Sequence, residues 1–514
     1  MGQDIRPKRR VRDALSRVLV NPSAQPTWRA LLAAYEAFAD PEVLEAVARE
    51  APRDSVSGFL RATFLAGLPG GEGHIAEAGR LVREIRPVDI DRLMAFANVE
   101  WGRALASVGD RAGFVARLRD ASLPEVLALA GDALCRRAPP LARRDVRQVR
   151  RVAVVAPYMG NANHTPTMLA LQQAGLLLDA GFEVEIFSAQ EMLMAWMPDY
   201  MGHQGRVHVA PPSFEEQAGL AQPGLTFHLA DPDFSLAQRW CDLLVAIERF
   251  DPDLVHFVGL FSPLVEPVFR ARPLLGLGIH SVAPMVPVDA WLVSDPALAG
   301  SETSPWGAAL PPAWGVHHPY RVSLKPTGAP LVRAQIEATD DDLVMVTVGG
   351  RLGDEIGGEW AERMIALLRE RQDIVWVLVG GAGACPPALA DAPPQRLRLV
   401  PTQADVRRVL RCCDLYLNPP RMGGGFSVAE AMAEGLAVVA LNDADGGDKL
   451  GEEAAVSLDG YFERLNFLLA DREARLEQGA RLQERFSQTL DLARSGPSLL
   501  AACDVALERY RFRA

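Results

Sequence analysis

From about residue 13 to residue 140, apolar side chains recur three and four positions apart, as in Trp28, Leu31, Leu32, Tyr35 and Phe38, or Val56, Leu60 and Phe64. That spacing lays them along one face of a helix. The runs break at Asn21-Pro22-Ser23, Ala39-Asp40-Pro41, Leu68-Pro69-Gly70-Gly71 and Ser122-Leu123-Pro124. At each break Pro or Gly ends one segment, and Asp or Ser can cap the next. Short helical hairpins are therefore predicted. They lack a clean fixed period, which favours an irregular bundle over a regular repeat stack.

The pattern changes at Arg150-Arg151. VAVVAP (152–157) is a continuous apolar run, as in a strand buried on both faces of a parallel sheet. A small-residue loop from Tyr158 to Thr165 leads into an amphipathic helix over 168–181, and 182–187 alternates as the next strand. Further strands are read at 254–257 and 290–293. After Lys325-Pro326-Thr327-Gly328-Ala329-Pro330, which suits a linker, LVMVTVGG (343–350) begins a second unit of the same kind. Its predicted order is strand 343–348, helix 359–371, strands 374–379 and 397–400, helix 404–412, strand 415–417, helix 427–434 and strand 437–441. The fold class is thus α/β, with two Rossmann-like domains facing a cleft and an all-α domain before them. The boundaries are placed at 1–147, 148–328, 329–496 and 497–514, the last a helix expected to cross back toward the N-terminal half.

Length and charge sharpen this organisation. A chain of 514 residues accommodates about three domains, each able to bury its own core. Residues 1–150 hold 24 Lys and Arg against 19 Asp and Glu, a net +5, which leaves −17 for the remainder. The basic residues near the start, Arg6 to Arg12, have no interleaved aromatics, so no nucleic-acid platform is expected. No apolar window is long enough to span a membrane and no signal peptide is seen, so a cytoplasmic protein is expected, with peripheral membrane association left open. The six cysteines lack metal-ligand spacing, and neither disulfides nor a metal site is expected. Oligomeric state is not readable.

One string stands out: Asp414-Leu-Tyr-Leu-Asn418-Pro-Pro-Arg421-Met-Gly423-Gly424-Gly425-Phe426-Ser427-Val-Ala-Glu430. Consecutive glycines after a strand let backbone N–H groups approach an anion, and the helix that follows aims its positive end at the same place. A diphosphate suits such a site. Glu430 lies about one turn into that helix, within range of a ribose hydroxyl. Taken alone, the glycines read more simply as a tight turn with a Ser cap. Gly350 and Arg351 follow the first strand of the same half, where an Arg can pair bidentately with phosphate oxygens.

The string resembles the donor-binding motif of GT-B glycosyltransferases, particularly family 4-like and bacterial adhesin or polysaccharide enzymes with N-P-x-R-x-G-G-G-x-S-x-x-E-A-M/L-x-x-G. The resemblance implies a nucleoside-diphosphate sugar as co-substrate, a UDP-sugar foremost, with no further cofactor. By position it puts Gly424, Gly425, Phe426 and Ser427 at the diphosphate, Glu430 at the ribose, and Thr402 and Gln403 at the base. Asp448, in a loop like the G-D loop of these families, would reach the sugar. Many retaining family 4 enzymes carry a second Glu eight residues before the first. Here that position is Met422, a departure that removes the carboxylate. The segment 278–295 is loosely similar to family 41, the protein O-GlcNAc transferases and adhesin N-glucosyltransferases, which also place helical modules before a GT-B core. This similarity turns the expected acceptor toward protein.

Glycosyl transfer needs a deprotonated acceptor and a neutralised leaving diphosphate. Arg351 and the helix start would serve the second need without a metal, and His164 or His280 the first. The DxD-like strings at 231–233, 251–253 and 443–445 read as loop chemistry. The competing readings are a lipid-linked or polysaccharide acceptor, a sugar-nucleotide epimerase on the same double fold, and a non-catalytic helical scaffold with a GT-like core.

Overall fold

The computed structural model describes residues 5–107, 109–161, 164–193, 220–280, 282–303, 305–324, 327–381 and 383–513. Eight α-helices occupy its first part, from Ile5–Val20 to Leu123–Arg137. Local chemistry accounts for several of their starts. The Asp40 carboxylate accepts from the Glu42 N–H with Pro41 at the first helical position. Asp54 and Ser57 cap each other's backbone reciprocally at Ser55–Ala66. Two expected caps differ. Ser122 sits at φ 56° and caps nothing, and the Ser23 hydroxyl donates 2.8 Å to Asp54 across to another helix.

The first sheet contains β1 (Arg151–Val155), β2 (Glu183–Ser188), β3 (Thr226–Leu229), β4 (Leu254–Val258), β5 (Leu274–Leu277), β6 (Ala290–Val293), β7 (Glu302–Thr303) and β8 (Ala313–His317). Its order is β3-β2-β1-β4-β5-β6-β8-β7, parallel except for β7. Central β1 pairs Val152 with Val184 on one side and Leu254 on the other. The second sheet contains β9 (Leu343–Val348), β10 (Ile374–Val379), β11 (Leu397–Val400), β12 (Leu415–Leu417) and β13 (Ala437–Val439), in the order β11-β10-β9-β12-β13, all parallel. Both sheets reverse strand order around a central strand, where a crevice opens at the carboxyl ends.

Four strands escape the hydrophobic pattern: β3, β5, β7 and β8. In β5 the run is only four residues long and includes Gly276, where a Cβ would come 2.7 Å from Pro284. Close packing of the following loop sets this strand, and no alternation announces it. The helix expected over 404–412 contracts to Arg407–Leu410. Asp405, which could have capped a longer helix, instead accepts from the Thr327 hydroxyl at 2.7 Å and the Gly328 N–H at 3.0 Å.

The helical region does not keep a core of its own. Leu93, Phe96, Trp101 and Leu127 belong to one apolar cluster with Trp240, Phe257 and Val265 of the first α/β half, and with Met422 of the second. The helix Gly496–Phe512 covers the opposite face of the first sheet through Leu499, Ala502, Cys503 and Ala506. Its Tyr510 hydroxyl lies 2.9 Å from the carbonyls of both Arg144 and Ala271. The chain thus passes between the halves twice, and the two passages run side by side. The Arg321 N–H donates to the Leu490 carbonyl at 3.1 Å and the Leu492 N–H to the Val322 carbonyl at 3.0 Å. Among the described residues no helix is long and apolar enough to cross a membrane.

Candidate active site

The glycine string leaves β12 and enters the helix Gly425–Ala433. Gly424 holds φ +94°, and a Cβ there would lie 2.3 Å from Asn418 Oδ1 and 2.6 Å from Arg421. Only glycine fits such a position. The crowding comes from Arg421, which is buried. Its guanidinium donates to Asn418 Oδ1 at 2.9 Å, Glu355 Oε2 at 2.7 Å and the Val348 carbonyl at 2.8 Å. Arg421 therefore ties the end of β9 to the loop after β12. It stands within the quoted motif, but no feature of the motif signals this tie.

Glu355 joins Arg421 to Arg351. Its Oε1 accepts from Arg351 Nη2 at 2.8 Å and Nε at 3.2 Å. Burial works to raise the Glu355 carboxyl, but Arg421 and Arg351 prevail and hold it below its ordinary value. Arg351 keeps 44% of its side chain exposed. A Cβ on Gly423 would lie 3.7 Å from its Nη2, whereas one on Gly350 would meet nothing within 4 Å. Gly350, Arg351 and Gly423 thus border one open space, next to the start of the helix Gly425–Ala433. Four backbone N–H groups at such a start have no partner in their own helix.

Other expected donor residues are placed differently. The Ser427 hydroxyl is engaged within the fold, accepting from Tyr416 at 2.8 Å and donating to the Gly424 carbonyl at 3.0 Å. Only its N–H is then left for an anion. The half-buried Phe426 packs against cores of both halves. Burial raises the Glu430 carboxyl to about 7, against the opposing pull of Arg407. Thr402 is exposed with its hydroxyl 3.3 Å from the Gly381 carbonyl, and Gln403 donates 2.9 Å to the Pro401 carbonyl. The Asp448 carboxylate, expected at the sugar, accepts from Arg111 of the helical region. Nearby Asp445 sits against the helix start: a Cβ on Gly425 would lie 2.2 Å from its Oδ2, and Lys449 donates to its Oδ1 at 2.9 Å. Met422 is fully buried in the shared apolar core, so this position packs where retaining enzymes place a carboxylate.

Both candidate histidines come from loops after strands of the first sheet; after burial, His164 senses the charge of Arg351, and His280 that of Asp445 ahead of Arg351. His164 precedes the helix Thr165–Asp179. Its Nδ1 is 2.9 Å from the Thr167 hydroxyl, which also accepts from the Gly160 N–H at 2.9 Å. Burial and then Arg351 lower His164 to about 4. When Nδ1–H donates to Thr167, Nε2 is the nitrogen free to accept a proton. His280 holds φ +58°. Burial lowers it to about 4 as well, and its Nε2 is sealed from solvent with no hydrogen-bond partner among the described residues. Trp101 and Phe114 of the helical region flank its ring at 6.3 and 5.7 Å. Nothing in the spacing of Trp101 and Phe114 sets them apart from core residues. In the segment loosely similar to family 41, Asp289 serves Arg513 and the Leu274 N–H, and Asp295 caps Ala297.

The family model of group 1 glycosyl transferases matches residues 343–465. Over 100% of both chains the fold is similar to that of a mutant O-GlcNAc transferase from Thermobaculum terrenum, at 15% identity and a TM-score of 0.50. Partial likenesses include the glycosyltransferase SnogD from Streptomyces nogalater (16% identity, 70% of this chain and 100% of that one, TM-score 0.39). Another is MurG from Acinetobacter baumannii (14% identity, 70% and 99%, TM-score 0.38). No curated protein sequence matches. The two sheets behind a helical region have the GT-B fold, and the group 1 match within the second half makes the protein a transferase enzyme. Its second half carries the group 1 glycosyl transferase domain.

Proposed function

We propose that the protein transfers a sugar from a nucleoside-diphosphate sugar, a UDP-sugar in the first instance, to a protein acceptor. One observation carries this reading: the start of the helix Gly425–Ala433 and the exposed face of Arg351 border one space. The N–H groups of Gly425, Phe426 and Ser427 receive the diphosphate, Gly350 leaves room for it, and Arg351 pairs with the charge that grows as the sugar leaves. These groups supply countercharge from the protein itself. Glu430 accepts from the ribose, and the backbone at Thr402 and Gln403 meets the base.

On the other side, His164 accepts the acceptor's proton through Nε2 while Thr167 holds Nδ1. His280 is the second candidate for this role. The acceptor is assigned to the protein class because eight helices precede the α/β halves and pack, through Trp101 and Phe114, on the loop that carries His280. Titration calorimetry with UDP and with GDP tests the donor side. Binding of UDP at micromolar to millimolar concentration is expected, and silence toward both nucleotides overturns the reading. Donor hydrolysis across a panel of nucleotide sugars then identifies the sugar.

A further inference from the structure

Arg111 occupies the first position of the helix Arg111–Asp120, whose first turn contains no acidic residue. A cation there opposes the helix dipole, so the local sequence gives it no reason to be present. The reason lies in the other half of the molecule. The Arg111 N–H donates to the Asp443 carbonyl at 2.8 Å, and its guanidinium pairs with the Asp448 carboxylate. Both side chains are largely shielded, 28% and 19% exposed, which strengthens the pair relative to a surface one. The preceding turn also lies near the second half, since a Cβ on Gly109 would be 3.7 Å from Pro420.

The gripped segment, which from Asp445 to Leu450 is a short helix and not the loop expected for Asp448, has no slack. A Cβ on Gly447 would strike the Leu441 carbonyl at 1.9 Å, and one on Gly446 would strike Asn418 Nδ2 at 2.4 Å. Between the two gripped residues lies Asp445, whose carboxylate presses on Gly425 at the start of the donor-site helix. A displacement at Asp443 or Asp448 therefore reaches Asn418 and Gly425 directly.

We propose that Arg111 is a positioning residue for the donor: through residues 443–448 the helical region fixes the helix start that receives the diphosphate. The inference rests on the donor reading above. It gives the helical region a role in nucleotide binding that is separate from any contact with acceptor.

The test is calorimetric titration of UDP into the full-length protein, its Arg111→Ala, Arg111→Lys and Asp448→Asn variants, and the Arg111→Ala/Asp448→Asn double variant, each with a thermal unfolding curve. UDP lacks the transferred sugar, so a direct contact of Asp448 with that sugar does not enter. Arg111→Ala and Asp448→Asn are each expected to weaken UDP about 5- to 10-fold. The double variant should be no weaker than the poorer single one, and Arg111→Lys should recover most of the loss. Wild-type affinity in a folded Arg111→Ala protein, or in Asp448→Asn should the first variant not fold, overturns the inference while leaving the donor reading intact. A wild-type protein that binds neither UDP nor GDP removes the donor reading and this inference with it.

Discussion

Glu430 and His164 respond to pH in opposite ways, and this separates donor binding from catalysis. With Glu430 raised to about 7 by burial, part of the population is protonated at neutrality and accepts from a ribose hydroxyl only as a neutral carboxyl, more weakly than the carboxylate does. UDP affinity is therefore expected to rise as pH increases through 7, and Glu430→Gln to remove that dependence. Glu430→Ala should cost about 1.5–3 kcal/mol of binding at alkaline pH, the loss of a hydrogen bond to a charged group. His164, lowered to about 4, stays neutral well into acid. Turnover at saturating donor should therefore hold down to about pH 5, below the ordinary range of histidine, while the donor KM climbs. A turnover that falls with an apparent pKa near the ordinary histidine value would assign the base elsewhere. Arg421 belongs to a different category. Replacing it with Ala leaves the buried Glu355 with Arg351 alone and removes the donors to Asn418 and the Val348 carbonyl, and a stability loss of about 1.5–3 kcal/mol is expected in chemical denaturation.

The glycines show at the level of elements what sequence can and cannot reveal. The string at 423–425 is legible because a run of three glycines between a strand and a helix forgoes side-chain packing exactly where the backbone must come close to something else. Yet the structure gives the glycines different duties: Gly424 is forced by its φ and by Arg421, whereas Gly350 is crowded by nothing. Gly424→Ala should lose about 1–2 kcal/mol from the left-handed conformation alone, with more from the clash. Gly350→Ala should leave the unfolding midpoint almost unchanged yet weaken UDP, because its open side is the space assigned to the diphosphate. Equal nucleotide binding by Gly350→Ala and wild type would move the diphosphate elsewhere. Strands with an unbroken apolar run, such as β1 and β10, are legible directly. Those set by a neighbouring loop, such as β5, are not. The histidines can be nominated from their loops, but Thr167, Trp101, Phe114 and Arg111 cannot, since each acquires meaning only from a contact that chain order does not display.

On the scale of the whole molecule, the helical region and the first α/β half share one core. Deleting residues 1–145 would expose Trp240, Val265 and their neighbours, each contributing about 1.5–3 kcal/mol when buried. A few such side chains equal the stability of a typical domain, about 5–15 kcal/mol. The shortened chain is expected to show no cooperative unfolding transition, and a well-folded truncated enzyme would contradict the shared core. The two passages between the halves have a mechanical consequence. Because 321–322 and 490–492 are joined to each other through their backbones, they form a single two-stranded ribbon in place of two independent tethers. Two strands tied together at one point leave the halves less freedom to twist against each other than two separate tethers would.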